Sequence, residues 1–217
     1  MLKVIIVGYG AMGKVMEKTA EEYDDIEIME ICARAGRMPC IKDVNRRADV
    51  VIDFSAPDAI YDVAKYCEKY KVPLVSAVTG YSEEQEKLIE KFSQIVPVFR
   101  SSNFSAGICV MKKLVHKAAE MLEWDVEMIE MHHNKKKDFP SGTALMLEKS
   151  IGSNVNIHSI RTGNIPGEHT VIFAGNDEMI EITHRAFSKK IFAEGAIKAA
   201  RFIVTQTAGM YGMEDIL

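Results

Sequence analysis

The chain has 217 residues, 47% of them hydrophobic and 27% charged, with a net charge of −4. At this length roughly 70% of the unfolded surface can be buried, so no disulfide or metal staple is needed. The acidic balance, without a basic stripe, argues against nucleic acid; no apolar run reaches the ~18 residues of a membrane span; and the apolar start, residues 1–8, is too short for a secretory leader. Cys32, Cys40, Cys67 and Cys109 lack paired spacing, which suits buried thiols in a reducing cytoplasm better than disulfides or a zinc site.

The first hundred residues alternate strand and helix signals, the pattern of a parallel sheet with helices on both faces. Residues 4–7 are continuously apolar, as expected of a strand buried on both sides. A helix is predicted after Gly13, with strands over residues 26–33 and 50–54. Ser55 is expected to cap a helix whose Ile60, Val63, Ala64 and Cys67 share one face. Residues 72–78 predict a fourth strand. Ser82 and Gln85 make a capping box for a helix with Leu88, Ile89 and Phe92 as its buried stripe. Residues 97–99 predict a short fifth strand.

From Ile108 the pattern changes. A long amphipathic helix carries Met111, Leu114, Val115, Ala118 and Leu122. A strand over residues 126–131, a polar loop and a short helix over 144–150 follow. Strands are predicted over 155–160, 169–173 and 179–183, the last two alternating as in an antiparallel sheet with one covered face. A final helix over 193–207 has Ile197, Ala200, Phe202 and Val204 to bury. The division falls at about residue 104.

Gly8-Tyr9-Gly10-Ala11-Met12-Gly13 is Gly-x-Gly-x-x-Gly between a predicted strand and helix. The first glycine permits the tight turn, the second lets backbone N–H groups approach a pyrophosphate, and the third lets helix and strand pack closely. The helix N-terminus adds its positive dipole end. A dinucleotide is the expected ligand; the alternative is a merely structural turn. The second strand ends Ile31-Cys32-Ala33-Arg34-Ala35. A site preferring NAD commonly offers Asp or Glu here to the ribose 2′-hydroxyl. Ala33 has no carboxylate and Glu30 comes too early, while Arg34 is either a partner for a 2′-phosphate or ordinary surface. NADPH is therefore expected to serve at least as well as NADH.

The richest segment is Glu130-Met131-His132-His133-Asn134-Lys135-Lys136-Lys137-Asp138-Phe139-Pro140-Ser141-Gly142-Thr143-Ala144. Two histidines and three lysines leave a strand end on a loop. Ser141 then reads as a helix cap that leaves the N–H groups of Gly142 and Thr143 to receive a carboxylate or phosphate, with a lysine close by. Histidine is the side chain best suited to donate a proton near neutral pH. A His-His pair alone is more often metal-binding or incidental, but a metal needs further ligands and Asp138 alone is thin support.

This segment resembles the signature Glu-x-His-His-x-x-Lys-x-Asp-Ala-Pro-Ser-Gly-Thr-Ala of dihydrodipicolinate reductases. Asn103-Phe104-Ser105 is similar to the family's hinge, and residues 163–169, 181–186, 192–200 and 209–213 are similar to its later motifs. Three positions depart from the pattern: Ala33 for the acid, Ala77-Val78-Thr79-Gly80 for Gly-Thr-Thr-Gly, and Phe139 for alanine. The resemblance implies an α/β protein: a Rossmann-type doubly wound parallel sheet plus an α+β substrate and oligomerisation domain with an open mixed sheet. The dinucleotide domain would comprise residues 1–104 plus 193–217, and the substrate domain 105–192. It implies an NADH- or NADPH-dependent reductase of a cyclic imine dicarboxylate, cytoplasmic and homotetrameric, with no resident metal. His132 corresponds to the proton donor and Lys136 to a second catalytic group, while His133, Ser141, Gly142 and Thr143 correspond to positions that hold the substrate carboxylates. Cofactor contacts would come from Gly8 to Gly13, Arg34, Ala77, Val78, Thr79, Ser101, Ser102, Asn103 and Phe104.

Overall fold

The computed structural model describes residues 1–33 and 38–217. The chain divides into two compact units, Met1–Phe104 with Lys190–Leu217, and Ser105–Lys189.

In the first unit the strands are β1 (Leu2–Val7), β2 (Ile26–Cys32), β3 (Val50–Asp53), β4 (Leu74–Ser76) and β5 (Pro97–Arg100). Helices α1 (Ala11–Ala20), α2 (Ile60–Tyr70) and α3 (Glu83–Ser93) connect them. With β10 (Gly209–Tyr211) at one edge, the sheet order is β10-β5-β4-β3-β1-β2, and every pairing is parallel. Burial of Val4, Ile5, Ile6, Val50, Val51 and Ile52 on both sheet faces explains why these strands are apolar runs rather than alternations. The chain leaves β1 toward β2 on one side and returns to β3 on the other. That reversal makes the carboxyl ends of β1 and β3 a topological switch point, where open parallel sheets bind ligands.

The described structure departs locally from the sequence expectations. Ser55 caps no helix: its hydroxyl and N–H both turn back to Asp53, at 2.5 and 2.9 Å. Pro57 opens a 3₁₀ turn that delays α2 to Ile60, without a side-chain cap. The fourth strand is three residues long and begins only at Leu74, because Pro73 has no N–H for the ladder. The last helix, α6 (Lys190–Ile203), ends before Val204, which is exposed. A sixth strand, β10 (Gly209–Tyr211), was not anticipated; three residues are too short to carry a periodicity. The Ser82–Gln85 capping box is present at α3.

The second unit comprises α4 (Ala106–Met121), β6 (Asp125–His132), α5 (Gly142–Ile151), β7 (Asn156–Arg161), β8 (Glu168–Ala174) and β9 (Met179–Arg185). Its mixed sheet has the order β7-β6-β8-β9. Only β6 and β7 run parallel, joined by α5; the other pairs are antiparallel. Met128, Leu147, Val171 and Phe173 form a core under α4 and α5. Leu114, expected within the α4 stripe, is exposed.

Candidate active site

The three turn glycines differ in what surrounds them. Gly8 has φ +91°, and a Cβ there would lie 2.6 Å from the Ser55 nitrogen. A Cβ on Gly13 would meet the Gly8 carbonyl oxygen at 2.0 Å, the close helix–strand approach the motif requires. A Cβ on Gly10 would meet nothing within 4 Å, so its N–H face is open to a ligand. Beside them lies a cavity of about 500 Å³ whose wall includes Gly8, Tyr9, Gly10, Ala33, Ser55 and Asp62. This cradle fits a dinucleotide, the glycine turn meeting the pyrophosphate at the start of α1. Ala33 brings no carboxylate to the wall, whereas Asp62 of α2 does, a residue the sequence did not single out. Arg34 lies outside the described residues.

The other expected cofactor positions follow the carboxyl ends of β4 and β5. The Ala77 N–H is taken by the Asp53 carbonyl at 2.9 Å, and Val78 is buried with Thr79 exposed beyond it. Ser101 Oγ donates to the Asn103 carbonyl at 2.6 Å, closing a turn with Ser102 exposed at its tip. The Phe104 side chain is buried against Phe99 and Phe54. Its carbonyl oxygen would lie 1.9 Å from a Cβ on Gly195, so α6 crosses this segment at backbone contact. Asp53 at the end of β3 is wholly buried, and burial pushes its carboxyl up to about 6 against the two bonds from Ser55.

The second unit gathers the histidine segment. Side chains of β6 alternate so that Met128, Glu130 and His132 share the buried face. The parallel register sets Arg161 opposite His132, and the antiparallel register sets His169 opposite Glu130. Glu130 is fully buried and accepts from His132 Nδ1 at 2.5 Å, from both Arg161 Nη atoms at 2.8 and 2.6 Å, and from the Ser141 N–H at 3.2 Å. Burial works against its charge, but bonds from Arg161, Ser159 and His132 together outweigh that and hold the carboxyl down at about 2. An ionised carboxylate only accepts, so His132 must carry its hydrogen on Nδ1 and present Nε2 as the exchangeable nitrogen.

Burial lowers the pKa of His132, more than Glu130 raises it, and the charges of Lys136 and Arg161 push the same way. A Cβ on Gly167 would come within 3.1 Å of His132 Nε2, so only glycine leaves that nitrogen unobstructed there. The His169 ring meets His132 edge-on at 5.2 Å, and burial holds His169 neutral, at about 3. Its Nε2 lies 3.1 Å from Ser141 Oγ.

Ser141 is the N-cap expected from the sequence: its Oγ accepts the Ala144 N–H at 3.2 Å. Gly142 is exposed at the start of α5 and Thr143 is half-buried beside it. Lys136 Nζ lies 2.8 Å from Asp138 Oδ2. That carboxylate also accepts from the Gly142 N–H, and its pKa is lowered because Lys136 and these backbone bonds outweigh its partial burial. An internal carboxylate thus sits where a lysine and a helix start converge, the chemistry of an anion site. His133 is half-buried, its carbonyl accepting the Lys136 N–H at 3.1 Å.

Glu130, Arg161, His169 and Gly167 received no role from the sequence. For Glu130 a signal existed, since a carboxylate two residues before a strand histidine shares its face. His169 lay within the motif over residues 163–169 but its place beside Glu130 did not show, and Arg161 had no signal, because strand register cannot be read from a single chain. Among the described residues no group of three or more His, Cys, Asp or Glu is placed to hold a metal ion, no helix is long and apolar enough to cross a membrane, and all four cysteines are free.

Comparison with known proteins agrees with this geometry. Residues 2–104 match the family model for the N-terminus of dihydrodipicolinate reductase, and residues 107–217 match that for its C-terminus. A 4-hydroxy-tetrahydrodipicolinate reductase of Thermosipho africanus (strain TCF52B) is 44% identical, the match covering 98% of this chain and 96% of that protein. One from Clostridium tetani (strain Massachusetts / E88) is 38% identical over 100% of this chain and 97% of its own length. In fold, the solved dipicolinate-bound dihydrodipicolinate reductase from Paenisporosarcina sp. TG-14 gives a TM-score of 0.82 at 22% identity, with 100% of both chains covered. With a glycine cradle in one unit and the His-His-to-Gly-Thr segment in the other, both family models matched nearly end to end, the chain belongs to the dihydrodipicolinate reductase family.

Proposed function

We propose that this chain is a 4-hydroxy-tetrahydrodipicolinate reductase, using NADH or NADPH to make tetrahydrodipicolinate for lysine and diaminopimelate synthesis. The observation that carries the reading is the convergence in one unit of His132, Lys136 and the Ser141-capped start of α5. A planar dicarboxylate needs just such a site: N–H donors and a cation for its charge, and an acid for the proton. The relatives that carry this name align with the whole chain.

The nicotinamide cofactor, when bound, supplies the hydride, which adds at ring carbon 4 after the substrate has lost its hydroxyl. His132 gives the balancing proton from Nε2, the nitrogen that Glu130 leaves unclaimed. Lys136 exchanges its Asp138 partner for a substrate carboxylate and steadies the charge that develops. Ser141, Gly142 and Thr143 receive that carboxylate at the helix start, with His133 beside them. On the cofactor side Gly8, Gly10 and Gly13 form the phosphate cradle, with Tyr9, Ala11 and Met12 between them, while Ala77–Thr79 and Ser101–Asn103 contribute backbone at neighbouring strand ends. The dinucleotide role belongs to the Met1–Phe104 and Lys190–Leu217 unit, and the substrate role to Ser105–Lys189. The finer expectations, a cytoplasmic homotetramer, extend the same reading: Ile160, Met179 and Ile180 leave apolar surface exposed on β7 and β9.

A coupled assay tests this directly: the upstream synthase generates substrate while consumption of NADH or NADPH is followed. Turnover that depends on the synthase product is expected. Turnover with 2-oxo acids or amino acids instead would assign the site to another reductase class.

A further inference from the structure

Arg161 makes two kinds of contact. Its guanidinium grips Glu130 through both terminal nitrogens, a bidentate pair with both side chains almost wholly buried. The same group donates to the Asp138 carbonyl at 2.7 Å and to the Ile160 carbonyl at 2.9 Å, and lies 4.3 Å from the centre of the Phe139 ring. One arginine thus ties the carboxylate under His132 to the loop that carries Lys136.

Two carboxylate arrangements beside a histidine have opposite consequences. An unshared buried carboxylate raises the pKa of the imidazole and grips its proton. A carboxylate already committed to an arginine still accepts the Nδ1–H, so it orients the ring, but much of its charge is neutralised. Here the second arrangement holds. The groups facing His132 are Glu130 on its own strand, Arg161 from β7, His169 from β8 and Lys136 from the following loop. His169 is neutral, so Glu130 is the anion of this set and Arg161 its counter-charge.

We propose that Glu130 and Arg161 are a positioning pair for His132, in which the carboxylate fixes the ring through Nδ1–H while the arginine withdraws enough charge for Nε2 to release its proton. This rests on the reading of His132 as the proton donor. Neither residue touches substrate in this role. The imidazolium begins with hydrogen on both nitrogens, and the Nε2 proton passes to the substrate as hydride arrives. The neutral imidazole keeps Nδ1–H on Glu130, and Nε2 is reloaded from solvent.

The test is ¹⁵N NMR of histidine-labelled protein, titrated in wild type, Glu130→Gln, Arg161→Met and Arg161→Lys, beside kcat and KM for each. In wild type the neutral His132 should be the Nδ1–H tautomer, an outcome that needs no variant. Glu130→Gln should lower the His132 pKa by about one pH unit or more. It should also cut kcat by roughly 10²–10⁴-fold, the range a positioned general acid supplies, with KM little changed. Arg161→Met should move the pKa the opposite way, and Arg161→Lys should return it toward wild type. An Nε2–H tautomer in wild type, or shifts of the same sign in Glu130→Gln and Arg161→Met, would overturn the pairing whatever the enzyme reduces. Opposite shifts in a protein that does not turn over the synthase product would instead sink the functional reading and leave the pair standing.

Discussion

Burial is the largest influence on the acidity of His132, with Lys136 and Arg161 acting the same way, and that has a kinetic signature. Its pKa lies below the ordinary 6.5 because desolvation outweighs Glu130. The proton-donating form exists below that pKa, so kcat/KM should be level in acid and fall as pH rises through a value under 6.5. A dianionic substrate favours the imidazolium, so the fall in kcat should come at higher pH than the fall in kcat/KM. Two coincident limbs, or a limb rising with pH, would remove His132 as the acid. Lys136→Ala should both raise KM and lower kcat, because Lys136 serves carboxylate binding and charge development together. An effect on thermal stability alone would make the lysine ordinary surface. At this scale His132, Lys136 and the Ser141 cap were legible because each lies in one short run of sequence. Arg161 was not, since it reaches His132 only through strand pairing, while Glu130 carried a signal in its two-residue spacing from His132.

Two substitutions separate ligand contacts from fold at the scale of single elements. Gly142 is the first residue of α5, and Ser141 before it is extended, at φ −68° and ψ 150°. Proline suits a first helical position and needs an extended predecessor, so Gly142→Pro should fold normally. It lacks the N–H, and a hydrogen bond to a charged group is worth ~1.5–3 kcal/mol, so affinity for pyridine-2,6-dicarboxylate should drop by roughly tenfold or more. Calorimetry showing unchanged affinity would rule out the anion site. In the nucleotide cradle, Gly10→Ala meets no protein atom while Gly13→Ala meets the Gly8 carbonyl. We expect Gly10→Ala to keep its melting temperature but weaken NADH and NADPH binding, and Gly13→Ala to lose both. Equal losses of stability would show that Gly10 is structural. The glycine turn and the Ser82 cap were readable because both are local hydrogen-bond patterns. The cap assigned to Ser55 failed because Asp53, two residues earlier, competes for the same hydroxyl.

Across the whole molecule, buried ionisable groups pull the two units in opposite directions on acidification. His169, held at about 3, and Glu130, held at about 2, bind fewer protons folded than unfolded. Stability from them is present above about pH 6.5 and 4.5 respectively, and is lost as pH falls toward 3 and 2. Asp53, raised to about 6 from 3.8, binds more protons folded, so acidification between those values favours its unit. Scanning calorimetry from pH 7 to 4 should show the unit holding His169 melting progressively earlier. Asp53→Asn should change the pH response of the other unit; transitions that move in parallel, with Asp53→Asn inert, would contradict this. At this scale the doubly wound sheet and a separate second sheet were legible from the change of periodicity near Ile108, and its mixed character came from the family resemblance, whereas the last strand and the strand registers depend on contacts far apart in sequence. The central claim is that a folded, cofactor-binding chain reduces its substrate through His132, and the kcat of His132→Ala with synthase-generated substrate at saturating NADH and NADPH tests it most directly. We expect kcat to fall by roughly 10²–10⁴-fold with KM little changed; an unchanged kcat would contradict it.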